Sequence, residues 1–259
     1  MKVQIIGLGT VGLPTAIHIS RFFDAVGYDI SPEAQTHASK FIQVANKIEN
    51  ADIYVITVST KLNSESTPDM SAVDEACKEI SKAQLGALVA IESTLSIGTA
   101  RRLSSKYNLK FVVVCPHRWW KRDQINHGVV QLRVIGALNS ESMERGKAFY
   151  QALRIPLYPL SSLELAEATK IAENSYRFVQ IAFAEELKII AESNNLNFNE
   201  LREACNTKWN VVVLEARDGI GGECLPKDIR YLMSASGVHP LLEGAIKADE
   251  AYKKFILGE

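Results

Sequence analysis

The feature that most restricts the fold of this chain is a glycine-rich turn directly after its first apolar run. The run Val3–Ile6 has the pattern of a buried strand, and it leads into Gly7-Leu8-Gly9-Thr10-Val11-Gly12 and a helical stretch. In such a unit the first glycine makes a tight turn, the second lets a pyrophosphate approach the backbone, and the third allows close packing of helix on strand. The free N–H groups at the helix start would bind phosphate. The turn therefore predicts a dinucleotide-binding α/β fold.

A carboxylate follows this turn at the spacing that a dinucleotide site requires. Asp29 ends the second predicted strand, 22 residues after Gly7, where a carboxylate would accept hydrogen bonds from an adenine ribose. It would also repel a 2′-phosphate, so the pattern favours NAD over NADP. In the alternative interpretation the glycines serve packing alone, and Asp29 caps a helix that starts near Ser31-Pro32.

The first 160 residues alternate short apolar runs with amphipathic stretches, which predicts a mostly parallel sheet with helices on both faces. Both faces of a parallel sheet are buried, so its strands lack polar alternation. The stretch between Asp29 and Asp52 is short for a complete helix and strand, and a trimmed sheet is expected there. The strands are predicted at Val3–Ile6, Ala25–Ile30, Ile53–Val58, Ala87–Ile91, Phe111–Cys115 and Val134–Ala137, and the helices at Val11–Phe22, Ser71–Lys82, Thr99–Tyr107 and Ser140–Leu153.

Beyond Pro159 the pattern becomes helical. Residues 163–194 contain neither Pro nor Gly and repeat apolar side chains at helical spacing, which predicts one helix about 48 Å long. Ser161 or Ser162 can cap its start, and its length is typical of a subunit interface or a bridge between domains. We predict a Rossmann-type domain over 1–160 and an all-helical domain over 161–259. The shorter helices are expected at Phe198–Asn206, Pro226–Ser236 and His239–Leu257.

The composition narrows the class of partner. The 29 Lys and Arg residues against 30 Asp and Glu give a net charge of -1, which leaves no basic excess to hold nucleic acid or an anionic membrane. No apolar run reaches the roughly 18 residues of a membrane helix, and no cleavable signal is visible. The histidines are scattered, and the cysteines are far apart without metal-ligand spacing, so we expect no metal and free thiols in a reducing cytosol. The cysteines are Cys77, Cys115, Cys205 and Cys224.

A second glycine-rich turn surrounds one of these cysteines. In the segment Gly219-Ile220-Gly221-Gly222-Glu223-Cys224-Leu225-Pro226-Lys227-Asp228, Pro226 fits the first turn of a new helix. Cys224 would then lie at a helix N-terminus beside Lys227, which favours a nucleophilic thiolate. The alternative is a buried cysteine in a glycine-rich loop. The other three cysteines lack such a setting and are interpreted as core residues.

Lys170 and Asn174 are four residues apart on the predicted long helix, so they project from one face. A lysine can donate a hydrogen bond to a developing alkoxide, and an asparagine can donate to the same oxygen. On the helix considered alone, a solvated face is the favoured interpretation of the pair.

Together these motifs resemble the nucleotide-sugar dehydrogenases, the family of UDP-glucose 6-dehydrogenase and GDP-mannose dehydrogenase. The cysteine motif combined with the Lys/Asn helix is specific to this family, whereas the first glycine turn alone is not. The matching segments follow the family order over almost the whole chain: Ile6–Pro14, Val58–Thr60, Pro68–Ser71, Glu92–Thr94, Gly98-Thr99, Glu167–Lys170, Glu173–Arg177 and Gly221–Asp228.

The resemblance implies an NAD-dependent, two-step oxidation of a sugar primary alcohol, with the sugar carried on a nucleotide. Cys224 would form a thiohemiacetal and then a thioester that water hydrolyses. Lys170 and Asn174 would stabilise the oxyanions, and Thr94 and Asp228 would position the water or relay its proton. The long helix, residues 163–194, would form the core of a homodimer. NAD would be held by Gly7, Gly9, Val11, Gly12, Asp29, Thr60, Thr94 and Lys227, and Gly221 would line the sugar site.

Three departures from the family pattern accompany the resemblance. The family carries a third domain after the cysteine motif, whereas this chain stops at Gly258-Glu259, as a natural short form or a fragment would. The family's basic residue shortly after the ribose acid is missing. The family's water-activating Glu is replaced by His117, which could act as a base near neutral pH and contact the substrate.

Two other functions remain open at this point. A one-step hydroxyacid dehydrogenase has a similar layout but needs no cysteine nucleophile, and a truncated NAD-binding partner would lack turnover. The basic, aromatic segment 117–122 either grips a sugar or packs as a loop at a helix or dimer contact.

Overall fold

The computed structural model describes residues 1–83, 86–120 and 123–258, with the side chains of 125 and 126 outside that description. Within these ranges, eight strands form one sheet in the order β10-β9-β8-β7-β4-β1-β2-β3, and β5 pairs with β6 in a separate two-stranded ribbon. All neighbours in the large sheet are parallel except β8 and β9. The strands are β1 Lys2–Ile6, β2 Asp24–Tyr28, β3 Gln43–Val44, β4 Ile53–Ile56, β5 Lys61–Leu62, β6 Pro68–Asp69, β7 Leu88–Ile91, β8 Phe111–Val114, β9 Arg133–Ala137 and β10 Leu157–Pro159.

The helices follow the strands in the expected alternation and then continue alone. Those of the first part cover both faces of the sheet, as a buried parallel sheet requires. They are α1 Gly12–Ile19, α2 Pro32–Ala38, α3 Ser71–Ala83, α4 Thr99–Tyr107, α5 Gln124–His127 and α6 Ser140–Ala152. Those that follow are α7 Leu163–Ser193, α8 Phe198–Asn206, α9 Cys224–Met233 and α10 Pro240–Leu257.

The central strands explain why the sheet forms. Every residue of β4 and β7 is buried, and three of the four in β8 are. The register aligns Ile6 with Ile56 and Ile56 with Ile91, so these strands end at one edge of the sheet. The segments that follow them therefore begin at the same edge, which is where ligands of open α/β sheets bind.

The predicted mostly parallel Rossmann-type sheet and the helical region with one long helix are confirmed. Between Asp29 and Asp52, where a trimmed sheet was expected, the chain forms the seven-residue helix α2 and only the two-residue edge strand β3. Sequence reasoning missed β10 and the β5–β6 ribbon, because elements of two or three residues show no periodicity.

The chain divides into two compact units at residues 170 and 171, inside α7. The boundary expected near residue 160 marks the end of the sheet rather than the end of the first unit. The first turns of α7 belong to that unit because Glu167 accepts hydrogen bonds from the backbone N–H groups of Gly98 and Ala100, at 2.6 and 2.7 Å. Ser162 caps α7 through the Leu165 N–H at 3.2 Å.

The second unit has its own apolar core, built by the later helices. One buried cluster contains Phe178 and Ala182 of α7 together with Ile229 of α9 and Ala245 of α10. A second cluster packs Phe198 of α8 against the C-terminal part of α7. Among the helices of the described ranges, none combines the length and the apolar character needed to cross a bilayer.

Candidate active site

The first glycine turn has the geometry that a dinucleotide turn requires. Gly7 has φ +95°, and a Cβ there would lie 2.9 Å from the backbone of Thr57. A Cβ on Gly12 would overlap the carbonyl oxygen of Gly7. A Cβ on Gly9 would meet nothing within 4 Å. Gly7 and Gly12 are therefore required by the protein's own packing, whereas the space above Gly9 is open to a ligand.

The start of α1 is open to an anion as well. Its N-cap residue, Val11, provides no side-chain hydrogen bond to the first turn, so the helix does not satisfy its own N-terminal donors from that position. The Leu13 N–H donates to the Gly9 carbonyl oxygen at 3.1 Å and Pro14 has no N–H, so the helix dipole and the N–H groups of the glycine turn are what suit a phosphate. The residues Gly7, Gly9, Val11 and Gly12 thus fit the pyrophosphate of a dinucleotide.

Asp29 ties the turn to the strand that precedes it. Its Oδ2 accepts a hydrogen bond from the Leu8 N–H at 2.6 Å, and its Oδ1 accepts from the Ser31 N–H at 2.9 Å. The cap of α2 is Ser31, whose hydroxyl accepts from the Ala34 N–H at 3.2 Å. Asp29 is therefore part of the turn and not the side-chain cap of the next helix.

Two threonines of the predicted cofactor site are brought together beside the same edge. The Thr60 hydroxyl donates a hydrogen bond to the Thr94 carbonyl oxygen at 2.9 Å. Ser93 donates to the Val58 carbonyl oxygen at 2.7 Å, so the loops after β4 and β7 are joined twice. These bonds hold Thr60 and Thr94 in the edge where β1 and its turn also end.

A fully buried charged cluster lies behind this edge. Glu92, directly after β7, contacts the His117 imidazole and forms an ion pair with Arg133 of β9 at 3.1 Å. Tyr150 donates a hydrogen bond to Glu92 at 2.8 Å. Burial alone would raise the pKa of Glu92, but Arg133 and His117 together hold that pKa at about 2. The carboxylate is thus kept ionised inside the first unit.

His117 occupies a different environment from the one expected. Its side chain is 6% exposed, and its Nε2 lies 3.0 Å from the Thr15 hydroxyl as well as against Glu92. Burial and the neighbouring Arg133 lower the pKa of His117 to about 4, with Lys170 contributing in the same direction. The expectation of a base that titrates near neutral pH is therefore corrected: the imidazole is a neutral, enclosed partner of Glu92.

The cysteine turn opens α9 in the second unit. Cys224 is the first residue of that helix and is exposed. Gly219 and Gly222 have φ +87° and +79°, and Cβ atoms on Gly221 and Gly222 would meet nothing within 4 Å. A carbonyl compound could therefore approach the Cys224 sulfur at the N-terminus of a helix, where developing negative charge is stabilised.

A compact polar group lies one helical turn after the cysteine. Asp228 is completely buried and accepts hydrogen bonds from the Asn174 amide and from the Lys227 ammonium, both at 2.5 Å. The Lys227 ammonium also lies 4.1 Å from the centre of the Tyr231 ring. Asn174, Lys227 and Asp228 are thus one hydrogen-bonded group, with Asn174 presented by α7.

The other cysteines behave as expected of interior residues in two cases, since burial raises the pKa of Cys77 and Cys115 to about 12, while Cys205 is half-buried.

The predicted site residues divide between the two units. The first unit carries Gly7, Gly9, Val11, Gly12, Asp29, Thr60, Thr94, His117 and Lys170, and the second carries Asn174, Gly221, Cys224, Lys227 and Asp228.

Sequence reasoning missed the buried charges in both units. The available signal was a charged residue inside an apolar strand pattern, as at Arg133, or directly after one, as at Glu92.

In the segment 117–122, Lys121 and Arg122 lie outside the described residues, and Trp120 is half exposed. Within the described ranges, no group of three or more His, Cys, Asp or Glu side chains is arranged to hold a metal ion.

Two sequence profiles of one protein family match the chain. The profile of the NAD binding domain of the UDP-glucose/GDP-mannose dehydrogenase family matches residues 33–154. The profile of the central domain of the same family matches residues 164–250. The first ends close to the last strand of the sheet, and the second covers α7, α8, α9 and part of α10.

Similar proteins carry consistent names. The chain is 30% identical to a UDP-N-acetyl-D-mannosamine dehydrogenase of Pyrococcus horikoshii over 90% of this chain and 64% of the relative. It is 26% identical to an NDP-N-acetyl-D-galactosaminuronic acid dehydrogenase of Ralstonia solanacearum, over 98% of this chain and 70% of the relative. A solved structure of the Pyrococcus horikoshii UDP-D-ManNAc dehydrogenase superposes with a TM-score of 0.87 at 27% identity, covering 100% of this chain and 70% of that one. The chain thus spans about two thirds of the length of these relatives.

Proposed function

We propose that this chain, which belongs to the UDP-glucose/GDP-mannose dehydrogenase family, oxidises the primary alcohol of a nucleotide sugar to a carboxylate with NAD. The observation that carries the proposal is the exposed Cys224 at the start of α9, one turn from the hydrogen-bonded group of Asn174, Lys227 and the buried Asp228. A simple alcohol dehydrogenase has no use for a thiol in this setting.

The cofactor part of the proposal rests on the first unit, whose NAD-binding domain is that of the family. Gly9 leaves room for a pyrophosphate, and Asp29 supplies a carboxylate beside the turn for a ribose. NAD, when bound, supplies the hydride acceptor. Thr60 and Thr94 would border the cofactor at the sheet edge, and Lys227 of the second unit would contribute a positive charge.

The chemistry assigned to the chain's own residues has two oxidations. The alcohol first loses a hydride and a proton to become an aldehyde. The Cys224 sulfur then adds to the aldehyde carbon, and the resulting thiohemiacetal loses a second hydride to become a thioester. Water displaces the sulfur and releases the acid, so that two NAD are reduced for each acid formed.

The charged and amide side chains are assigned to the oxygens that carry charge. Lys170 and Asn174 would donate hydrogen bonds to the alkoxide of the alcohol and of the thiohemiacetal. Asp228 would accept a proton from the water that attacks the thioester, with Thr94 and Gly221 bordering the water and the sugar.

The assembly and location complete the proposal. Tyr176, Phe183 and Ile190 are spaced seven residues apart on α7 and are 67%, 57% and 52% exposed, which is the pattern of a helix that packs on a second copy. We assign a homodimer through residues 163–194. Sedimentation should show a dimer in the parent and a monomer in Phe183→Glu.

Free thiols are typical of a reducing compartment, so we assign the protein to the cytoplasm.

The test counts NADH against product. A panel of UDP- and GDP-sugars, including UDP-N-acetyl-D-mannosamine, is incubated with the protein and NAD, and the products are analysed for acid. We expect about two NADH per acid, and a fall of at least about a thousandfold in acid formation in Cys224→Ala, with Cys205→Ala as the matched control. Full activity of Cys224→Ala, with one NADH and an aldehyde or ketone product, would establish a one-step dehydrogenase. NAD binding without turnover of any sugar would establish a non-catalytic partner.

A further inference from the structure

One residue of the cysteine turn is held by both of its backbone groups. The Asp249 carboxylate accepts a hydrogen bond from the Ile220 N–H at 2.7 Å, and the Lys253 ammonium donates to the Ile220 carbonyl oxygen at 2.7 Å. Asp249 and Lys253, one turn apart on α10, also form an ion pair with each other at 2.8 Å. The Ile220 side chain is 3% exposed. The residue is therefore fixed at its donor, its acceptor and its side chain.

Such a complete restraint on Ile220 is unusual because of where the residue lies in the chain. It lies four residues before Cys224 and is flanked by Gly219, Gly221 and Gly222, in a segment without regular secondary structure. Glycines give a loop the largest conformational freedom in the unfolded and the folded chain. A Cβ on Gly219 would lie 2.6 Å from the Lys253 side chain, so the lysine stem packs directly on the glycine backbone. The α10 side chains thus supply the order that the loop's own residues lack.

We propose that Asp249 and Lys253 are positioning residues that fix the segment 219–223 and thereby set the direction in which the Cys224 thiol points. The inference rests on the proposed function for its catalytic meaning, because the thiol is the group being aimed. Covalent attack demands a near-attack geometry, and small displacements cost large factors in rate. A loop clamped at Ile220 transmits that restraint over the three residues that separate it from α9.

The clamp combines a buried carboxylate, Asp249, with the Lys253 side chain, which is 42% exposed. Glu185 of α7 is fully buried beside Asp249 and Lys253. Burial, and then the Asp249 carboxylate, raise the pKa of Glu185 to about 7, while Lys253 opposes the rise. A buried pair of carboxyl groups beside a single ammonium is costly to assemble. Such a group is retained in a core when it specifies one geometry, and here that geometry is the one of Ile220.

The experiment uses amide exchange, thiol reactivity and turnover on the full chain. The variants are Asp249→Ala, Asp249→Asn and Lys253→Met, with Lys253→Arg as the conservative rescue and the exposed neighbour Lys254→Met as the control. All carry Cys205→Ala, so that iodoacetamide reports on Cys224 while Cys77 and Cys115 stay buried. Asp249→Asn keeps an acceptor for the Ile220 N–H and remains informative where Asp249→Ala fails to fold.

We expect the Ile220 amide to exchange at least about tenfold faster in Asp249→Ala and Lys253→Met. The Cys224 alkylation rate should change in the same variants, and kcat should fall about ten- to a hundredfold while KM for NAD stays unchanged. Lys253→Arg should restore most of each loss, and Lys254→Met should behave as the parent.

Unchanged exchange at Ile220, or equal effects in Lys254→Met, would overturn the clamp whatever the activity. Faster exchange and altered alkylation, in a protein whose parent form oxidises no sugar nucleotide, would support the clamp and overturn the proposed function. The two failures are therefore distinguishable.

Discussion

The two glycine-rich turns of this chain look alike in sequence and differ in why they need glycine. In the turn after β1, Gly7 and Gly12 are enclosed by backbone atoms of the turn itself and of the segment after β4. In the turn before α9, Gly221 and Gly222 face open space. The first turn is thus shaped by packing against the sheet, and the second by backbone conformation and access. A glycine motif alone does not reveal which requirement applies.

The two turns also differ in what supports them. The first is held by the Gly7 N–H, which donates to the Tyr28 carbonyl oxygen at 2.8 Å, and by the Asp29 carboxylate, which accepts from the Leu8 N–H at 2.6 Å. The second is supported by charged side chains, because Asp249 and Lys253 hold Ile220 and Glu185 lies behind them. Backbone hydrogen bonds do not titrate near neutral pH, whereas a buried carboxyl does. The second turn, with Glu185 behind it at a pKa of about 7, should therefore respond to pH near neutrality.

The largest effect that tests the comparison is steric. Gly12→Ala should lower the free energy of unfolding by more than about 3 kcal/mol, because the new Cβ overlaps the Gly7 carbonyl oxygen. Gly9→Ala should leave the melting temperature nearly unchanged and weaken NAD binding by about tenfold or more, because its Cβ fills space that is open in the protein. Thermal melts and NAD titrations of both variants decide the point, and equal melting temperatures would remove the distinction between the two glycines.

The free energy of unfolding should change by about 3 kcal/mol with pH because of Glu185. Its pKa is about 7 in the folded protein against an ordinary 4.5, so between these values the unfolded chain releases a proton that the folded chain keeps. Stability therefore falls as the pH rises from 4.5 to 7 and stays lower above 7. Glu185→Gln removes the penalty, so its stability gain over the parent should be about 3 kcal/mol larger at pH 8 than at pH 4.5.

Denaturant unfolding at the two pH values measures this gain, and the exposed neighbour gives the control, Glu186→Gln. A gain that is the same at both pH values would mean that the pKa of Glu185 is the same in the folded and the unfolded chain. The titration of the second turn would then not distinguish it from the first.

The smallest effect compares two glycines within the second turn. Gly222 has φ +79°, so Gly222→Ala should cost about 1 kcal/mol of stability from backbone strain alone. Gly221→Ala has open space and no such strain, and it should leave stability unchanged while lowering turnover if the sugar approaches there. Melting curves and kcat/KM for both variants provide the measurement, and a larger stability loss in Gly221→Ala would contradict the open geometry.

Long elements and local motifs were predictable from the sequence. Residues 163–194 read as one helix because no Pro or Gly interrupts their spacing, and α7 ends within one residue of that expectation. The glycine turn and Asp29 were recognisable because their partners are close in sequence and joined by a fixed geometry. The very short strands β3 and β10 were not, since their existence depends on the neighbouring strand rather than on their own residues.

The buried charges were beyond local reasoning for a related reason. Glu92 and Arg133 are 41 residues apart in the chain, and Ile220 and Asp249 are 29 apart. No charged residue of these pairs indicates its partner in the sequence, and only the fold places them in contact. His117 is the clearest case, because the sequence suggested a titrating base and the fold encloses it against Glu92.

The short edge strands of the sheet affect how this protein behaves at high concentration. Its interior strands are rich in Val and Ile, a composition that would aggregate if exposed along an edge. The two edge strands, β3 and β10, are two and three residues long, and β10 ends at Pro159, which has no N–H to donate. An edge so short offers a neighbouring molecule almost no ladder of hydrogen bonds to extend. The same brevity that hid these strands from sequence reasoning thus guards the folded protein against sheet-to-sheet association.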